Sequence, residues 1–554
     1  MTHSLFPVVA WLLCLSVGAT AQFAPNYLAA PSYYSTPANW QSYLTAGDLN
    51  QDGRDDIVRT AFASFSVSLS TPSGQIGAPV NYYCDYASSS TTMSQYSPII
   101  GDFTRDGLMD IAFLGITDYP PSVAVLYRQN TTGAFTLQQI LPIPLALGIY
   151  AADIDNDGFP ELISLRTRYS PYTNSYTATA ITVHSSASGS LTASLVYGTT
   201  RLLNGLVLAD ISGDGLLDFV LLEYNAFGQP TNVFIVLWLG VTNSFGPSWT
   251  LPLPGILPLS VISATCLRAA DVDQNGSADI ILTVDPNATF PIQTFVPIVA
   301  TCTTPLSGGG WWTMAVPEFM RGGPTTVLPE DVNRDGSIDL IGTRNEYMVS
   351  MTPPFSTTYN SRVFALIGTA NGQFLPPMSY ALPFPSPIAS PGRIGATAVA
   401  DLDGDGDREL VFVDTLMSQV GVAHNRARFG SPFGATSTFN PLIATGLPTL
   451  GNTAFSVSLS GAPPNAPALL ALSYATNPAG SASPILVDLA ASTLMLPLAS
   501  GLTQTSALGS ASIQLPIPAN PMLFNTVAFG QWGVLNPLPP GGLLLSAGAT
   551  MIIQ

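Results

Sequence analysis

The sequence has no lysine, and it has only three histidines and four cysteines among its 554 residues. All 16 basic residues are therefore arginines, and charged residues make up only 9% of the chain. No basic patch or arginine run occurs, which argues against nucleic acid as a partner. An odd number of cysteines, Cys84, Cys266 and Cys302, follows the N-terminal apolar segment, which argues against a disulfide framework.

Catalytic signatures are also absent. The chain contains no Gly-x-Ser-x-Gly, no His-Glu-x-x-His and no Cys-x-x-Cys sequence. Only His184 and His424 follow the N-terminal segment, so most candidate general bases are scattered acids. These absences favour a binding or structural protein over an enzyme.

Long apolar runs are missing as well. The apolar stretch from Leu5 to Val17 is shorter than the roughly 20 residues that a membrane-spanning helix needs. It has the length of a signal-peptide core, and Ala19-Thr20-Ala21 is a small-x-small cleavage site before Gln22. We therefore expect residues 1–21 to be a signal peptide and the protein to be secreted, either free or at the cell surface, with no membrane span.

The dominant feature that is present is a nine-residue acidic loop. Its first copy, residues 48–56, reads Asp-Leu-Asn-Gln-Asp-Gly-Arg-Asp-Asp. Six further copies begin at Asp102, Asp153, Asp210, Asp271, Asp331 and Asp401, at steps of 51 to 70 residues. Such regular self-similarity indicates a repeat architecture.

Oxygen-bearing side chains recur at positions 1, 3, 5 and 9 of this loop, around a glycine at position 6. Alternating oxygen ligands around a tight turn are typical of a calcium site, and position 7 would add its backbone carbonyl. The predicted ligands are Asp48, Asn50, Asp52, Arg54, Asp56; Asp102, Thr104, Asp106, Leu108, Asp110; Asp153, Asp155, Asp157, Phe159, Glu161; Asp210, Ser212, Asp214, Leu216, Asp218; Asp271, Asp273, Asn275, Ser277, Asp279; Asp331, Asn333, Asp335, Ser337, Asp339; and Asp401, Asp403, Asp405, Asp407, Glu409.

The negative charge of the chain comes from these loops. They contain 25 of the 34 acids and four arginines, so they carry 21 net negative charges within a chain of net charge −18. Seven divalent ions would reduce the net charge to about −4, so the composition favours occupied sites. We expect up to seven calcium ions.

Two other readings of the loop are less consistent with its sequence. An EF-hand requires a glutamate at position 12, where this chain has Arg59 in the first copy and Phe412 in the last. Seven unrelated Asp-Gly turns would need only one Asp or Asn each, whereas the loops have oxygen side chains at fixed spacing.

Each loop lies between short apolar segments, for example Leu206–Ala209 before a loop and Ile280–Leu282 after one. A third apolar segment and a Gly/Phe signature follow, such as Gly133-Ala134-Phe135 or Gly372-Gln373-Phe374. Four short strands per repeat are typical of propeller blades. The chain resembles the FG-GAP/VCBS repeat proteins, which include the integrin α-subunit propellers. The resemblance implies an all-β fold with a seven-bladed β-propeller over residues 22–436, and with calcium in the hairpin between the first two strands of each blade.

A propeller ring must close, because an open ring would expose sheet edges. Residues 22–27 resemble the fourth strand of other blades, and Phe429–Phe433 offers a second candidate for the same position. Either segment fits the closing strand.

The turns between the second and third strands would lie on the rim opposite the metal loops. The two longest are predicted at 166–177 and 344–360, and long loops on a rigid scaffold often bind ligands. The predicted ligand-binding residues are Arg166, Arg168, Tyr169, Tyr172, Arg344, Glu346 and Tyr347. We expect a monomeric adhesion or ligand-binding module for an extracellular glycan or protein, and no enzyme. A polysaccharide-active enzyme of the lyase type, built on the propeller, is the alternative.

Residues 437–554 differ from the rest in charge, since Asp488 is the only charged side chain after Arg428. Short apolar or alternating segments are separated there by Gly, Pro, Asn and Ser. This pattern predicts a C-terminal β-sandwich domain with a Ser/Thr/Asn surface.

Overall fold

The computed structural model describes most of the chain after residue 27. The described residues are 28, 31–35, 43–61, 64–72, 74–83, 92–93, 98–116, 122–170, 175–187, 190–225, 230–240, 242–253, 267–284, 294–301, 311–314, 320–321, 323–333, 335–349, 357–369, 372–375, 378–381, 394–404, 406–414, 419–425, 428–429, 439, 441–445, 448–476, 485–490, 494–495, 501–523, 526–536 and 542–553. The predicted signal peptide and the three later cysteines lie outside these ranges.

Seven antiparallel sheets follow one another along the chain, after a first strand β1 (Ser32–Ser35). Blade 1 contains β2 (Tyr43–Gly47), β3 (Asp56–Ala61), β4 (Ser64–Ser68) and β5 (Val80–Tyr83). Blade 2 contains β6 (Thr92–Met93), β7 (Ile99–Gly101), β8 (Asp110–Ile116), β9 (Val123–Gln129) and β10 (Phe135–Pro142). Blade 3 contains β11 (Ala146–Ala152), β12 (Glu161–Ser170), β13 (Ser175–Ala187) and β14 (Ser190–Thr199). Blade 4 contains β15 (Leu202–Ala209), β16 (Asp218–Tyr224), β17 (Pro230–Leu239) and β18 (Ser244–Pro252).

The last three blades follow the same order. Blade 5 contains β19 (Leu267–Ala270), β20 (Asp279–Val284), β21 (Thr294–Thr301), β22 (Trp311–Met314) and β23 (Met320–Arg321). Blade 6 contains β24 (Gly323–Glu330), β25 (Asp339–Val349), β26 (Thr357–Leu366) and β27 (Met378–Ala381). Blade 7 contains β28 (Ile394–Ala400), β29 (Glu409–Asp414) and β30 (Gln419–Ala423). The sequence prediction of an all-β propeller is confirmed.

The N-terminal strand closes the ring. β1 pairs with β30 and so becomes the fourth strand of blade 7, with Tyr34 opposite Val420. The competing segment, β31 (Arg428–Phe429), pairs instead with a strand of the C-terminal region. An N-terminal segment therefore closes the ring, but it is residues 32–35; the predicted candidate, residues 22–27, lies outside the described residues.

The core of the propeller lies between adjacent blades. Successive residues of a strand point to opposite faces, so Phe219 and Leu221 pack towards blade 3, while Val220 and Leu222 pack towards blade 5. Seven buried clusters of this kind join each blade to the next, and the last joins blade 7 to blade 1. Burial on both faces explains why the strands are continuously apolar.

The C-terminal region forms two sheets around one core. Its further strands are β32 (Leu442–Thr445), β33 (Ser456–Ser460), β34 (Pro467–Ser473), β35 (Leu502–Gln504), β36 (Ala511–Gln514), β37 (Val527–Asn536) and β38 (Gly542–Ile552). One sheet has the order β31-β38-β37-β34-β35 and the other β32-β33-β36. Trp532 is fully buried between them, and its Nε1 donates to the carbonyl of Ser458 at 3.1 Å.

The two regions of the chain also meet. Ile552 of β38 packs in the cluster between blades 6 and 7, together with Leu28 and Phe412. The domain boundary at residue 436 stays a prediction. The described part of the chain contains no helix with the length and hydrophobicity needed to cross a bilayer.

Candidate metal centres

The seven acidic loops all occupy one rim of the propeller, which we call the loop rim. Each loop joins the first and second strands of its blade, as the residues from Asp48 to Asp56 do between β2 and β3. The hairpins between second and third strands therefore lie at the opposite ends of the strands, and we call that side the hairpin rim. We number the loop positions 1 to 9, as in the sequence.

The position 1 carboxylate shapes the loop through backbone amides. Asp153 Oδ1 accepts the N–H of Asp157 at 3.0 Å, and Oδ2 accepts the N–H of Gly158 at 2.8 Å. The same pair of bonds recurs in five of the other loops. Gly158 has a φ of +91°, and this left-handed turn explains the glycine at position 6.

Positions 5 and 7 are joined in the same way. The position 5 side chain accepts the amide N–H of position 7, as Asp106 Oδ1 does from Leu108 at 2.9 Å and Asn275 Oδ1 from Ser277 at 2.8 Å. In these turns the position 7 residue takes part through its backbone, whatever its side chain is. The predicted ligand Asp405, at position 5 of the last loop, lies outside the described residues.

The position 9 acid is the most buried charged group of each loop. All seven are at most 2% exposed: Asp56, Asp110, Glu161, Asp218, Asp279, Asp339 and Glu409. Asp110 Oδ2 accepts the N–H of Thr104 at 2.9 Å, and its Oδ1 accepts that of Gln129, the last residue of the third strand, at 3.1 Å. Asp218 and Asp339 make equivalent links. This residue therefore connects the loop to two strands of its blade.

Burial changes the acidity of these groups. Desolvation raises the pKa of Asp56 and Asp110 to about 6 and that of Glu161 to about 7, against the lowering effect of their backbone hydrogen bonds. Desolvation likewise raises the pKa of Asp218, and it raises that of Asp339 well above its ordinary range. Neighbouring loop aspartates raise all five further, because like charges oppose ionisation.

Three loops bring acidic oxygens together. In each, the side chains at positions 1, 3 and 9 offer one carboxylate oxygen apiece, and these oxygens lie within 4.8 Å of one another. The three groups are Asp153, Asp155, Glu161; Asp271, Asp273, Asp279; and Asp401, Asp403, Glu409. The other four loops have Asn50, Thr104, Ser212 and Asn333 at position 3, so a neutral oxygen takes the place of the third acid.

Two of these groups contain a buried oxygen with no hydrogen-bond partner. They are Glu161 Oε1 in the third loop and Asp273 Oδ1 in the fifth. A buried carboxylate oxygen without a donor is costly, whereas a cation beside it would satisfy its charge. The donor sets of these loops, rich in carboxylate and carbonyl oxygen, fit a hard divalent cation such as calcium.

Position 4 has a role that the sequence analysis missed. Gln274 Nε2 donates to the carbonyl of Gly336, the position 6 residue of the next loop, at 2.5 Å, and Gln51 makes the same contact with Gly107. The guanidinium of Arg105 forms an ion pair with Asp157 of the next loop at 2.6 Å and lies over the ring of Phe159. The only sequence feature that could have indicated these contacts between loops is the long polar side chain at position 4.

The first and last loops are joined by two hydrogen bonds between Asp55 and Asp401. Asp55, at position 8, accepts the N–H of Asp401 at 2.9 Å through its side chain, and its own N–H donates to the carbonyl of Asp401 at 2.7 Å. Ala278 and Asp210 form a similar backbone link between the fifth and fourth loops at 2.7 Å. Adjacent loops therefore contact one another around much of the rim.

Three position 5 carboxylates are also paired with arginines. Asp52 pairs with Arg54, and Asp106 pairs with Arg128 at 2.7 Å. Asp157 pairs with Arg105 of the neighbouring loop. The charge of the first three loops is thus partly compensated by protein cations. Arg54 and Arg105 are already included in the net charge of the loops, and only Arg128 is added from outside them.

The hairpin rim differs from its predicted form. Arg166, Arg168 and Tyr169 lie in strand β12 rather than in a turn, and Arg344, Glu346 and Tyr347 lie in β25. Cross-strand pairing continues far along these hairpins, with Arg168 opposite Ala178, and the long run of strand residues explains the error. Tyr172 lies outside the described residues.

In each of these two hairpins the strand register places one tyrosine opposite another, which the prediction of turns did not include. Tyr169 is opposite Tyr176 in the β12–β13 hairpin, and Tyr347 is opposite Tyr359 in the β25–β26 hairpin. Each pair lies near the distal end of its hairpin. The structure therefore places a cross-strand pair of tyrosines on the hairpin rim at blades 3 and 6.

Comparison with known proteins finds a repeat family that matches part of the chain. Residues 102–164 match the model of the FG-GAP-like repeat. No curated protein matches the chain. An Agrocybe aegerita lectin, described for recognition of non-reducing terminal N-acetylglucosamine, is similar at 16% identity and a TM-score of 0.43, over 67% of this chain and 88% of the lectin chain. The propeller domain of the Trilobed protease from Pyrococcus furiosus is similar at 12% identity and a TM-score of 0.24, over 57% and 92%.

The matched residues span the second loop, the strands that follow it and the third loop, so the match covers the unit that recurs around the ring. All seven sheets share that unit's order of strands and its loop position. Residues 102–164 are an FG-GAP-like repeat, and the fold that contains them is a β-propeller.

Proposed function

We propose that the loops of the loop rim bind calcium and that this protein is a calcium-stabilised ligand-binding module. The observation that carries the proposal is the convergence of three carboxylates in each of three loops, with unpartnered buried oxygens at Glu161 and Asp273. The side chains at positions 1, 3, 5 and 9 and the carbonyl at position 7 would hold the ion. Calcium would supply positive charge that offsets the repulsion among the acids of each loop.

The test is thermal unfolding with calcium and with excess EDTA. We expect calcium to raise the melting temperature, because an ion that binds only the folded state stabilises it. Asp153→Asn should reduce the increase. The matched control is Asp488→Asn, which removes one charge from the C-terminal region and should leave the calcium response intact. An unchanged melting temperature in EDTA would overturn the proposal.

The loops should also differ in affinity. We propose that the copies beginning at Asp153 and Asp401 bind most tightly, since they have the most carboxylates among their ligands. The copies with Thr104 and Ser212 should be among the weakest, because a hydroxyl replaces a stronger ligand. Isothermal titration calorimetry of Asp153→Asn and Asp210→Asn, side by side, would distinguish the two classes: the first should remove a tight site and the second a weak one.

The hairpin rim is the proposed ligand-binding surface. Its two longest hairpins belong to blades 3 and 6, and their arginines and tyrosines are suited to sugar hydroxyls, carboxylates or a protein surface. The backbone register also places two tyrosines opposite each other in each hairpin, and aromatic residues are suited to contacts with sugar rings or protein surfaces. We propose a glycan or a protein of the extracellular space as the ligand, and adhesion as the function.

A glycan and matrix-protein array on the mature protein tests this surface. Tyr169→Ala with Tyr176→Ala, and Tyr347→Ala with Tyr359→Ala, should each reduce binding without lowering the melting temperature. The matched control is Tyr83→Ala, because Tyr83 is 76% exposed on the last strand of blade 1. Binding that survives both double variants but is lost in a folded loop variant would place the ligand on the loop rim. Cleavage of a bound glycan would instead favour the lyase-type enzyme.

We also propose secretion. The support is the apolar segment and cleavage site within residues 1–21, together with calcium sites of a type that extracellular modules fill at about 0.1–1 mM calcium. N-terminal sequencing of protein recovered from culture medium should begin at Gln22. Recovery only from the cell interior, with Met1 retained, would contradict the proposal.

A further inference from the structure

The junction between blades 1 and 7 contains a buried cation. Arg59 lies in β3 opposite Leu44 and Ser66, and it is only 6% exposed. Ile57, two residues earlier on the same face, packs in the cluster between blades 7 and 1, so this face of the strand is directed towards blade 7. Arg59 is therefore enclosed where the ring closes.

No described residue accepts a hydrogen bond from the Arg59 guanidinium or forms an ion pair with it. This isolation is unusual, because buried arginines are normally paired and the group has five donors to satisfy. Burial lowers the pKa of Arg59 to about 10, a value at which the side chain is still charged at neutral pH. The positive charge is retained, and its counter-charge does not come from the described part of the protein.

The surroundings of Arg59 are rich in donors. It lines a cavity of about 20 Å³ together with Tyr34, Ser66, Ser68 and Val420. Ser66 is 6% exposed, and neither serine hydroxyl has a hydrogen-bond partner among the described residues. The Tyr34 hydroxyl is engaged elsewhere, since it donates to Gln75 Oε1 at 2.8 Å. The cavity lining contains no carboxylate.

We propose that this cavity binds one chloride-sized anion between Arg59, Ser66 and Ser68. Charge complementarity favours an anion, because the lining has a guanidinium and two free hydroxyl donors but no acid. The volume gives room for about one particle of the size of a water molecule. A halide is only slightly larger than that, whereas phosphate and sulfate have five heavy atoms and do not fit.

The position of the site gives the anion a structural consequence. Arg59, Ser66 and Ser68 belong to blade 1, whereas Tyr34 and Val420 belong to the two strands whose pairing closes the ring. An anion there would neutralise the buried charge at this junction. Halide binding should therefore stabilise the closed propeller.

Bromide provides a direct test, because its anomalous scattering identifies it in a crystal. Crystals of the full chain soaked in sodium bromide should show an anomalous peak within hydrogen-bonding distance of the Arg59 guanidinium. The Arg59→Met protein should show no peak there. A wild-type map with water alone at this position would overturn the proposal.

Melting temperatures provide the test in solution, at fixed calcium and constant ionic strength. Replacing methanesulfonate by chloride or bromide should raise the wild-type melting temperature by about 1–2 °C, and Arg59→Met should abolish the difference. Arg201→Met is the matched control, because Arg201 is partly exposed and already paired with Glu223, and it should retain the halide effect. If Arg59→Met does not fold, Ser66→Ala with Ser68→Ala should weaken the same effect.

Two results would refute the halide assignment. Equal stability in all three anions would show that no halide binds at a functional concentration. Stabilisation by acetate but not by chloride would show that the site prefers a carboxylate, which could then come from a ligand or another protein.

Discussion

The buried acid at position 9 of each loop should stabilise its blade even without metal. The clearest case is Asp218, which is fully buried at the start of β16. Its Oδ2 accepts the N–H of Ile211 at 3.1 Å and that of Ser212 at 3.0 Å, and its Oδ1 accepts the N–H of Trp238 at 2.9 Å. Asp218→Ala would therefore leave the N–H groups of Ser212 and Trp238 without this acceptor, whereas the N–H of Ile211 would keep the carbonyl of Ala209 at 3.0 Å.

The magnitude follows from the burial of these donors. Trp238 is almost fully buried, and a buried donor left unsatisfied costs about 1–3 kcal/mol; the partly buried Ser212 N–H adds a smaller cost. Alanine also removes the desolvation cost that raises the pKa of Asp218, which offsets part of the loss. We expect a net loss of about 1–3 kcal/mol, a substantial share of the 5–15 kcal/mol that is typical of folded proteins.

Denaturant unfolding in EDTA measures this loss, and Asp214→Ala is the matched control. Asp214, at position 5 of the same loop, is exposed and accepts only the N–H of Leu216, at 3.0 Å. In EDTA the control should lose less than about 1 kcal/mol. In calcium both variants should lose the stabilisation from the fourth site. Equal losses for both variants in EDTA would refute the distinction between a structural acid and a metal ligand.

Three further predictions concern other parts of the propeller. His184 is buried beside Ser164, and desolvation lowers its pKa to about 4, so an NMR titration should find the side chain neutral at pH 5. Because this folded pKa is below the unfolded value of about 6.5, the protein should lose up to about 3 kcal/mol of stability as the pH falls from 6.5 to 4. The His184→Gln variant should not show this loss. Gly421→Ala should lower stability by about 1–3 kcal/mol in denaturant melts, because its Cβ would lie 2.4 Å from the ring of Phe412; a wild-type midpoint would mean that the ring can move at no cost. Deletion of residues 22–35 should expose the edge of blade 7 and produce larger species in size-exclusion chromatography, whereas a monomer with wild-type stability would contradict closure by β1.

The loops were predictable from sequence because their structure is local. The bonds from Asp153 to the amides of Asp157 and Gly158 join residues only four and five positions apart. Each position therefore has its own chemical requirement, and each requirement appears as a residue type at a fixed spacing. The blade order followed from the same repeats, because each loop marks the turn between two strands.

The features that could not be predicted from the sequence depend on contacts between residues that are far apart in the chain. Arg105 meets Asp157 52 residues later, and Asp55 meets Asp401 346 residues later. Nothing in a nine-residue pattern specifies such contacts. The closing strand was also undecided between residues 22–27 and 429–433, and the strand that pairs with β30 is a third segment, residues 32–35, which only tertiary pairing identifies. Residues 166–177 and 344–360 were predicted as turns between the second and third strands, yet strands β12 and β25 continue into both segments.

The two rims of the propeller are therefore constrained in different ways. On the loop rim, the position 9 acid is buried between the loop and the end of the third strand, and neighbouring loops contact one another, so a change there disturbs the packing of a blade. On the hairpin rim, β12–β13 and β25–β26 extend by backbone pairing, which tolerates many side chains. Residues on that rim can therefore vary without loss of the ring. This difference, rather than the presence of any single residue, is the physical reason for our proposal that ligands bind opposite the acidic loops.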